Sequence, residues 1–158
     1  MSPRGTTILA LRRGNTLVMG GDGQMTLGDT VLKNNTYKLR KLYQQKVLAG
    51  FAGSTADAIF LYELFAKELE IHSGHLKKAA VEVAKKWRGN QVMRNLEAHM
   101  IVGDQQDILI IGGNGDVISP DEQVISIGSG SLYAISAARA LLKHTELTAR
   151  EIVESALT

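Results

Sequence analysis

Thr6, Asp22, Lys38, Gly53 and Ser129 are residues of types that together could perform nucleophilic catalysis on an acyl group. Thr6 follows Gly5 and stands with Thr7 directly before an apolar run, Ile8-Leu9-Ala10-Leu11. Inside a chain a Thr hydroxyl is a poor nucleophile. At a chain terminus it is different, because the free α-amine lies within reach of the same residue's hydroxyl. That amine has a reference pKa of roughly 7.7–8.0, so an appreciable fraction is a neutral base near neutrality. One residue then supplies both nucleophile and general base. The condition is removal of Met1 to Gly5. Without it, Thr6 and Thr7 only open a β-strand, which Thr favours.

Asp22 lies sixteen positions after Thr6, and Lys38 sixteen after Asp22. A Lys beside a Thr hydroxyl favours the developing alkoxide and, if desolvated, has a lowered pKa. An Asp on its far side would hold that Lys in place. Gly53 ends an apolar stretch just before a helix, where backbone N–H groups point outward and favour negative charge, a suitable place for an oxyanion hole. Ser129, between Gly128 and Gly130, could reach the same space.

The elements that must position these residues follow from periodicity. Thr6 to Arg13 reads as a strand, Gly14-Asn15 as a turn, and Thr16 to Gly21 as the returning strand of a hairpin, bringing Asp22 back beside Thr6. Strand-like pieces follow around Thr30–Lys33 and Lys38–Tyr43, and Lys46 to Ala52 reads as a buried strand. Ser54 or Thr55 would cap the next helix, about Ala56 to His72, with Asp57 in its first turn and Leu61, Phe65 and Leu69 on one stripe. Ser73-Gly74 breaks it. Leu76, Ala79, Ala80, Val83, Ala84 and Trp87 then give the cleanest helical period in the chain. Strands resume at His99–Gly103 and Ile108–Gly112, Asn114-Gly115-Asp116 turns into Val117-Ile118, and Val124–Ile127 runs into Gly128. Helices about Leu132 to Lys143 and Ala149 to Leu157 close the chain, the last capped by Thr148. Hairpins and helix pairs, rather than regular strand–helix alternation, predict an α+β sandwich of antiparallel sheets covered by helices.

The 158 residues suffice for one domain, and 44% hydrophobic with 22% charged residues is ordinary for a globular protein. A formal charge of +2 gives no argument for nucleic acid or an anionic membrane. No apolar run approaches the ~18 residues of a membrane span, and Met1 to Gly5 lacks the apolar core of a signal peptide, so a cytoplasmic location is expected. With no Cys, disulfides, thiol catalysis and Cys-ligated zinc are excluded.

Further motifs occur in one order along the chain. These are Gly5-Thr6-Thr7-Ile8, Gly20-Gly21-Asp22-Gly23-Gln24, Thr26-Leu27-Gly28 and Lys38, then Ala49 to Asp57, Gly74-His75-Leu76 and Gly113 to Val117. Ile127-Gly128-Ser129-Gly130, Ala137 to Leu142 and Thr148 to Ile152 follow. Together they resemble the HslV (ClpQ) family of proteasome-like protease subunits, which are N-terminal-nucleophile hydrolases. The resemblance runs from Gly5 to the end and implies a four-layer αββα sandwich, with residues 1–5 a propeptide and 6–158 one protease domain. It implies a threonine endopeptidase degrading unfolded proteins inside two stacked six-membered rings, served by the ATPase HslU (ClpY), which consumes the ATP. Carried over by position, Thr6 is the nucleophile and its amine the base, and Asp22 with Lys38 the supporting pair. Gly53 N–H is the oxyanion donor, Ser129 the accessory hydroxyl near the amine. The family continues past the last helix with a strand whose Gly, Cys and Thr help bind a monovalent cation such as sodium. The sequence here ends at Thr158 without matching residues, so no metal-binding residue is expected in it, and a catalytically impaired ring subunit is the alternative expectation.

Other signals read more plainly. His72 and His75 straddle a helix break with no third ligand in view, which argues against a metal. Gly128 to Ser131 lacks the full Gly pattern of a phosphate loop. Asp57 reads as a helix N-terminal charge and Asp116 as a turn residue.

Overall fold

A computed structural model describes residues 7–21, 24–27, 31–33, 39–53, 55–90, 99–112 and 115–157. In chain order the strands are β1 (Thr7–Arg13), β2 (Thr16–Gly21), β3 (Gln24–Leu27), β4 (Val31–Lys33), β5 (Leu39–Leu42) and β6 (Val47–Ala52). Helices α1 (Thr55–Ile71) and α2 (Leu76–Gly89) follow, then β7 (His99–Gly103), β8 (Ile108–Gly112), β9 (Val117–Ile118) and β10 (Val124–Gly128), and finally α3 (Ser131–His144) and α4 (Ala149–Leu157). One sheet has the order β10-β1-β2-β3-β4 and the other β5-β6-β7-β8-β9, and the described pairings are antiparallel.

The apolar strands are continuous rather than alternating because both of their faces are buried, which otherwise typifies parallel sheets. Successive side chains still point to opposite faces. In β1, Ile8 and Ala10 join Leu17, Met19, Leu48, Ile101, Ile125 and Ile127 in the layer between the sheets. Leu9 and Leu11 face Ala138, Ile152 and Val153 of α3 and α4. On the other side Val47, Ala49, Phe51, Met100 and Val102 meet the stripes of α1 and α2, with Trp87 and Phe65 fully buried. The result is the αββα sandwich the sequence predicts.

Two glycines set how closely the sheets approach. A Cβ on Gly50 would lie 2.7 Å from Ile8 Cγ2 and 2.9 Å from Met19 Sδ, and one on Gly103 would lie 2.8 Å from Leu17 Cδ2. The Ile8 methyl is branched at Cβ and cannot swing away cheaply. Gly50→Val should therefore cost about 1–3 kcal/mol through overpacking, read as a lower urea midpoint. An unchanged midpoint would show that the layers can part.

Helix ends follow their sequences. Gly74 (φ 82°) takes the left-handed turn that ends α1, and a Cβ there would meet the Tyr43 ring at 2.5 Å. His75 caps α2, its Nδ1 accepting from Lys78 N–H at 3.3 Å. In α4, Thr148 Oγ1 accepts from Glu151 N–H (3.1 Å) and Glu151 Oε1 from Thr148 N–H (2.9 Å), a reciprocal capping box. These hydrogen bonds, the one from the Thr148 backbone first, hold the Glu151 carboxyl below the usual carboxylate range. The box contributes while Glu151 is ionised and is lost as pH falls through that lowered value. Arg13 ties the α3–α4 connection to β1, donating to the carbonyls of Leu147 (2.8 Å), Thr145 (2.8 Å) and Leu142 (3.1 Å).

Several expected elements differ from those found by a residue at an end, which is the ordinary fraying of boundaries, while the expected strand starts at Thr6, Thr30 and Lys38 lie outside the described residues. The strand Gln24–Leu27 was not foreseen. It pairs along β2 from Gly21↔Gln24 to Val18↔Leu27. The Ser54 and Thr55 cap expected for α1 falls where side chains lie outside the described residues.

Candidate active site at one end of the sandwich

Inter-sheet contacts fix which strand ends meet. Gly103 pairs with Leu48 on β6 and sits on Leu17, which pairs with Arg12 on β1. Gly50 sits on Ile8. Passing from Leu48 to Gly50 thus corresponds to passing from Arg12 back towards Ile8. β6 runs towards the end of the sandwich at which β1 begins. Gly53, directly after β6, and Thr7, which opens β1, are therefore at the same end.

The turn after β10 arrives there too. Thr7 pairs with Gly128, and Thr7 Oγ1 accepts from Gly130 N–H at 2.9 Å. Gly128 has φ 100°, a backbone conformation glycine alone adopts cheaply, which swings the chain out of β10 towards α3. Gly130 precedes α3 and has no room for a side chain, since a Cβ would lie 2.6 Å from Thr7 Oγ1. Between them Ser129 is exposed beside the start of β1. Ser126 Oγ donates to the Ile8 carbonyl at 2.8 Å and secures the same strand pair.

The structure thus brings Gly53 and Ser129 to the end at which β1 starts. Thr6, Asp22 and Lys38 lie outside the described residues. The residues next to them are described: Thr7 and Gly21 close the β1–β2 pair at this end, where Ile8 pairs with Gly21, and Leu39 pairs with Gly50. Behind β5, Arg40 stands over the Tyr62 ring of α1 (5.5 Å), and Tyr62 packs edge-on to Phe51 (6.4 Å, 70°). Burial pushes the Tyr62 phenol far up, partly opposed by the Arg40 charge, so it remains protonated. That contact fastens the strand following Lys38 to the helix following Gly53.

Thr7→Val should remove the acceptor of the Gly130 amide and lower stability by about 1 kcal/mol, with Thr7→Ser restoring most of it. Equal unfolding midpoints for the valine and serine variants would refute this role of the hydroxyl.

A cleft of about 930 Å³ lies at the opposite end, between the Asn15–Leu17 turn, the Tyr43–Leu48 segment and Gly103–Gln106, and takes in none of the candidate residues. Chemistry, not volume, selects the site. Arg12 bridges the two sheets there, donating to Gln123 Oε1 and to the carbonyl of Asp104. Among the described residues no group of three or more His, Asp or Glu could hold a metal. His75 is occupied as a cap, and His72 Nε2 stands 3.5 Å from buried Glu68, which also pairs with Lys86. No described helix is long and apolar enough to cross a membrane. Sequence reasoning passed over His99, an exposed residue that pairs with Ala52 at the end where β1 starts. The available signal was a polar residue opening an otherwise apolar strand.

An αββα sandwich with two antiparallel sheets, and strand ends converging on the start of its first strand, defines the proteasome-type class of N-terminal-nucleophile hydrolases. The sequence matches the proteasome-subunit family over residues 2–158. A crystal structure of eukaryotic HslV from Trypanosoma brucei is similar to it, with 43% identity, a TM-score of 0.81, and coverage of 95% of this chain and 87% of that one. The chain belongs to the proteasome family as an HslV-like proteolytic subunit.

Proposed function

We propose that the chain is a threonine endopeptidase in which Thr6, freed by removal of residues 1–5, is the nucleophile. The observation that carries this is the convergence of Gly53 and the Thr7-anchored Ser129 turn on the start of β1. In this reading the Thr6 amine takes the proton from its own Oγ as that oxygen attacks the scissile carbonyl, and Gly53 N–H donates to the oxyanion. Lys38, held by Asp22, lowers the energy of the developing alkoxide. The amine then passes its proton to the leaving amide nitrogen, and water hydrolyses the ester left on Thr6 Oγ. Ser129 Oγ orients the amine.

The test is an electrophile that needs both a hydroxyl and an adjacent free amine. Mass spectrometry should find one adduct per chain, on Thr6. Its absence from protein that begins at Thr6 would sink the reading and favour an inert ring subunit.

Self-association into rings and docking of an HslU-type ATPase belong to the same proposal, as does a cytoplasmic location. Exposed Ile59 and Phe60 on α1 and Leu132 and Tyr133 on α3 leave apolar surface on both helical layers, which supports subunit contacts. Because an oxyanion donor must sit within hydrogen-bond distance of the charge, small loop shifts at Gly53 would gate activity. Peptide cleavage should be weak for the isolated chain and rise with its ATPase and ATP. Equal rates with and without the ATPase would exclude such control.

A further inference from the structure

His99 begins β7 and is exposed, while Met100, Ile101 and Val102 after it are fully buried. Alternation along the strand settles its side. Met100 and Val102 pack in the layer beneath α1 and α2, and Ile101 packs between the sheets. His99 shares the face of Ile101 and so points towards the other sheet. Its neighbours in register are Ala52 on β6 and Gly112 on β8. With only a methyl group and a hydrogen beside it among the described residues, the exposed imidazole stands in a notch between them. Across the sandwich β7 lies against β10. β10 runs towards this end and stops at Gly128, so the notch opens between the Ala52–Gly53 step and the Gly128–Ser129 turn.

We infer that His99 is a specificity-determining residue, whose imidazole contacts a substrate side chain close to the scissile bond and selects a carboxylate, Asp or Glu. This deepens the proposed function and rests on it for the position of the scissile bond. The chemistry is that of the notch. An imidazole offers an N–H donor in either tautomer and a positive charge when protonated. Its described register neighbours are Ala52 and Gly112, with Gly53 and the Gly128–Ser129 turn at the same end of the sandwich, and none of these is acidic. Asp116 adjoins through its carbonyl, which accepts from Gly112 N–H. A substrate carboxylate would supply a charged acceptor, which none of the side chains of Ala52, Gly53, Gly112, Gly128 and Ser129 is.

The experiment separates binding from cleavage. In the assembled Thr6→Ala protein, fluorescence anisotropy measures the affinity of peptide pairs differing only by Asp or Asn, with the exchange walked along the peptide. At one position the Asp peptide should bind about three- to tenfold more tightly, the range of a partly exposed charge-assisted hydrogen bond. His99→Leu should erase that preference. His99→Gln, which keeps a donor without a charge, should retain part of it and guards against a folding defect in the leucine variant. No preference at any position, or the same preference in His99→Leu, overturns the inference. Peptides that bind with the expected preference but are not cut by protein with Thr6 intact would overturn the proposed catalysis, and with it the place of His99 beside a scissile bond, and leave only its contact with a carboxylate.

Discussion

Thr6→Ala is expected to abolish peptide hydrolysis, by about four orders of magnitude or more in kcat, the scale on which removal of a catalytic nucleophile is felt. The substitution deletes Oγ and the γ-methyl and changes none of the described residues that build the fold. Thr7 continues β1 with its pairing to Gly128 and Gly21's pairing to Ile8, and the core begins at Ile8. Assembly and thermal stability should therefore be those of the parent protein. Thr6→Ser should keep measurable activity, because a primary hydroxyl beside an α-amine offers the same two groups. What Ser lacks is the γ-methyl that limits χ1, so a loss of about ten- to a hundredfold is expected from poorer orientation. The measurement is steady-state cleavage of a fluorogenic peptide with size-exclusion chromatography of each variant. Undiminished hydrolysis by Thr6→Ala would return Thr6 to being the residue before a strand.

The second large effect belongs to the five residues before Thr6. While Gly5 is attached, the Thr6 nitrogen is an amide, whose lone pair is delocalised into the carbonyl and cannot take a proton near neutral pH. A preparation in which residues 1–5 are retained should be folded and inactive, with a loss of about 10²–10⁴-fold, the usual contribution of a positioned general base. Gly5 suits the cleavage, since the absence of a side chain lets the backbone reach a strained turn beside the hydroxyl. Gly5→Pro should block maturation and so reproduce the inactive state. N-terminal sequencing of active enzyme checks this directly: Thr should be the first residue. A fully active preparation beginning at Met1 would falsify the amine as base.

Much of the scaffold was legible locally. The spacing Leu76, Ala79, Ala80, Val83, Ala84, Trp87 marks one face of α2, and all six residues are buried in the structure. Gly14-Asn15 between two apolar runs gives the β1–β2 hairpin, and Thr148 three residues before Glu151 gives the capping box. These signals work because a helix period, a turn or a cap is decided by residues a few positions apart. Strand β3 escaped notice because Gln24-Met-Thr-Leu27 is short, follows a Gly-rich turn, and owes its existence to pairing with β2. Propensity in a strand is mostly a statement about neighbours.

By itself the sequence determined the two periodicities, the turns, the family pattern and the names of five candidate residues. Only the tertiary structure placed two of them, Gly53 and Ser129, at one end of the sandwich. Gly53 and Ser129 come from different sheets, and nothing local says that β6 runs towards the start of β1. That direction is set by sheet-on-sheet packing, through the absence of a Cβ at Gly50 and Gly103 where Ile8 and Leu17 press in. The place of Ser129 is set by a hydrogen bond between Thr7 and Gly130, residues 123 positions apart in the chain. His99 looked like an ordinary strand opener until its register put Ala52 and Gly112 on either side of it. Period is written in neighbouring residues, whereas partnership depends on shape and burial across distances the local pattern does not encode.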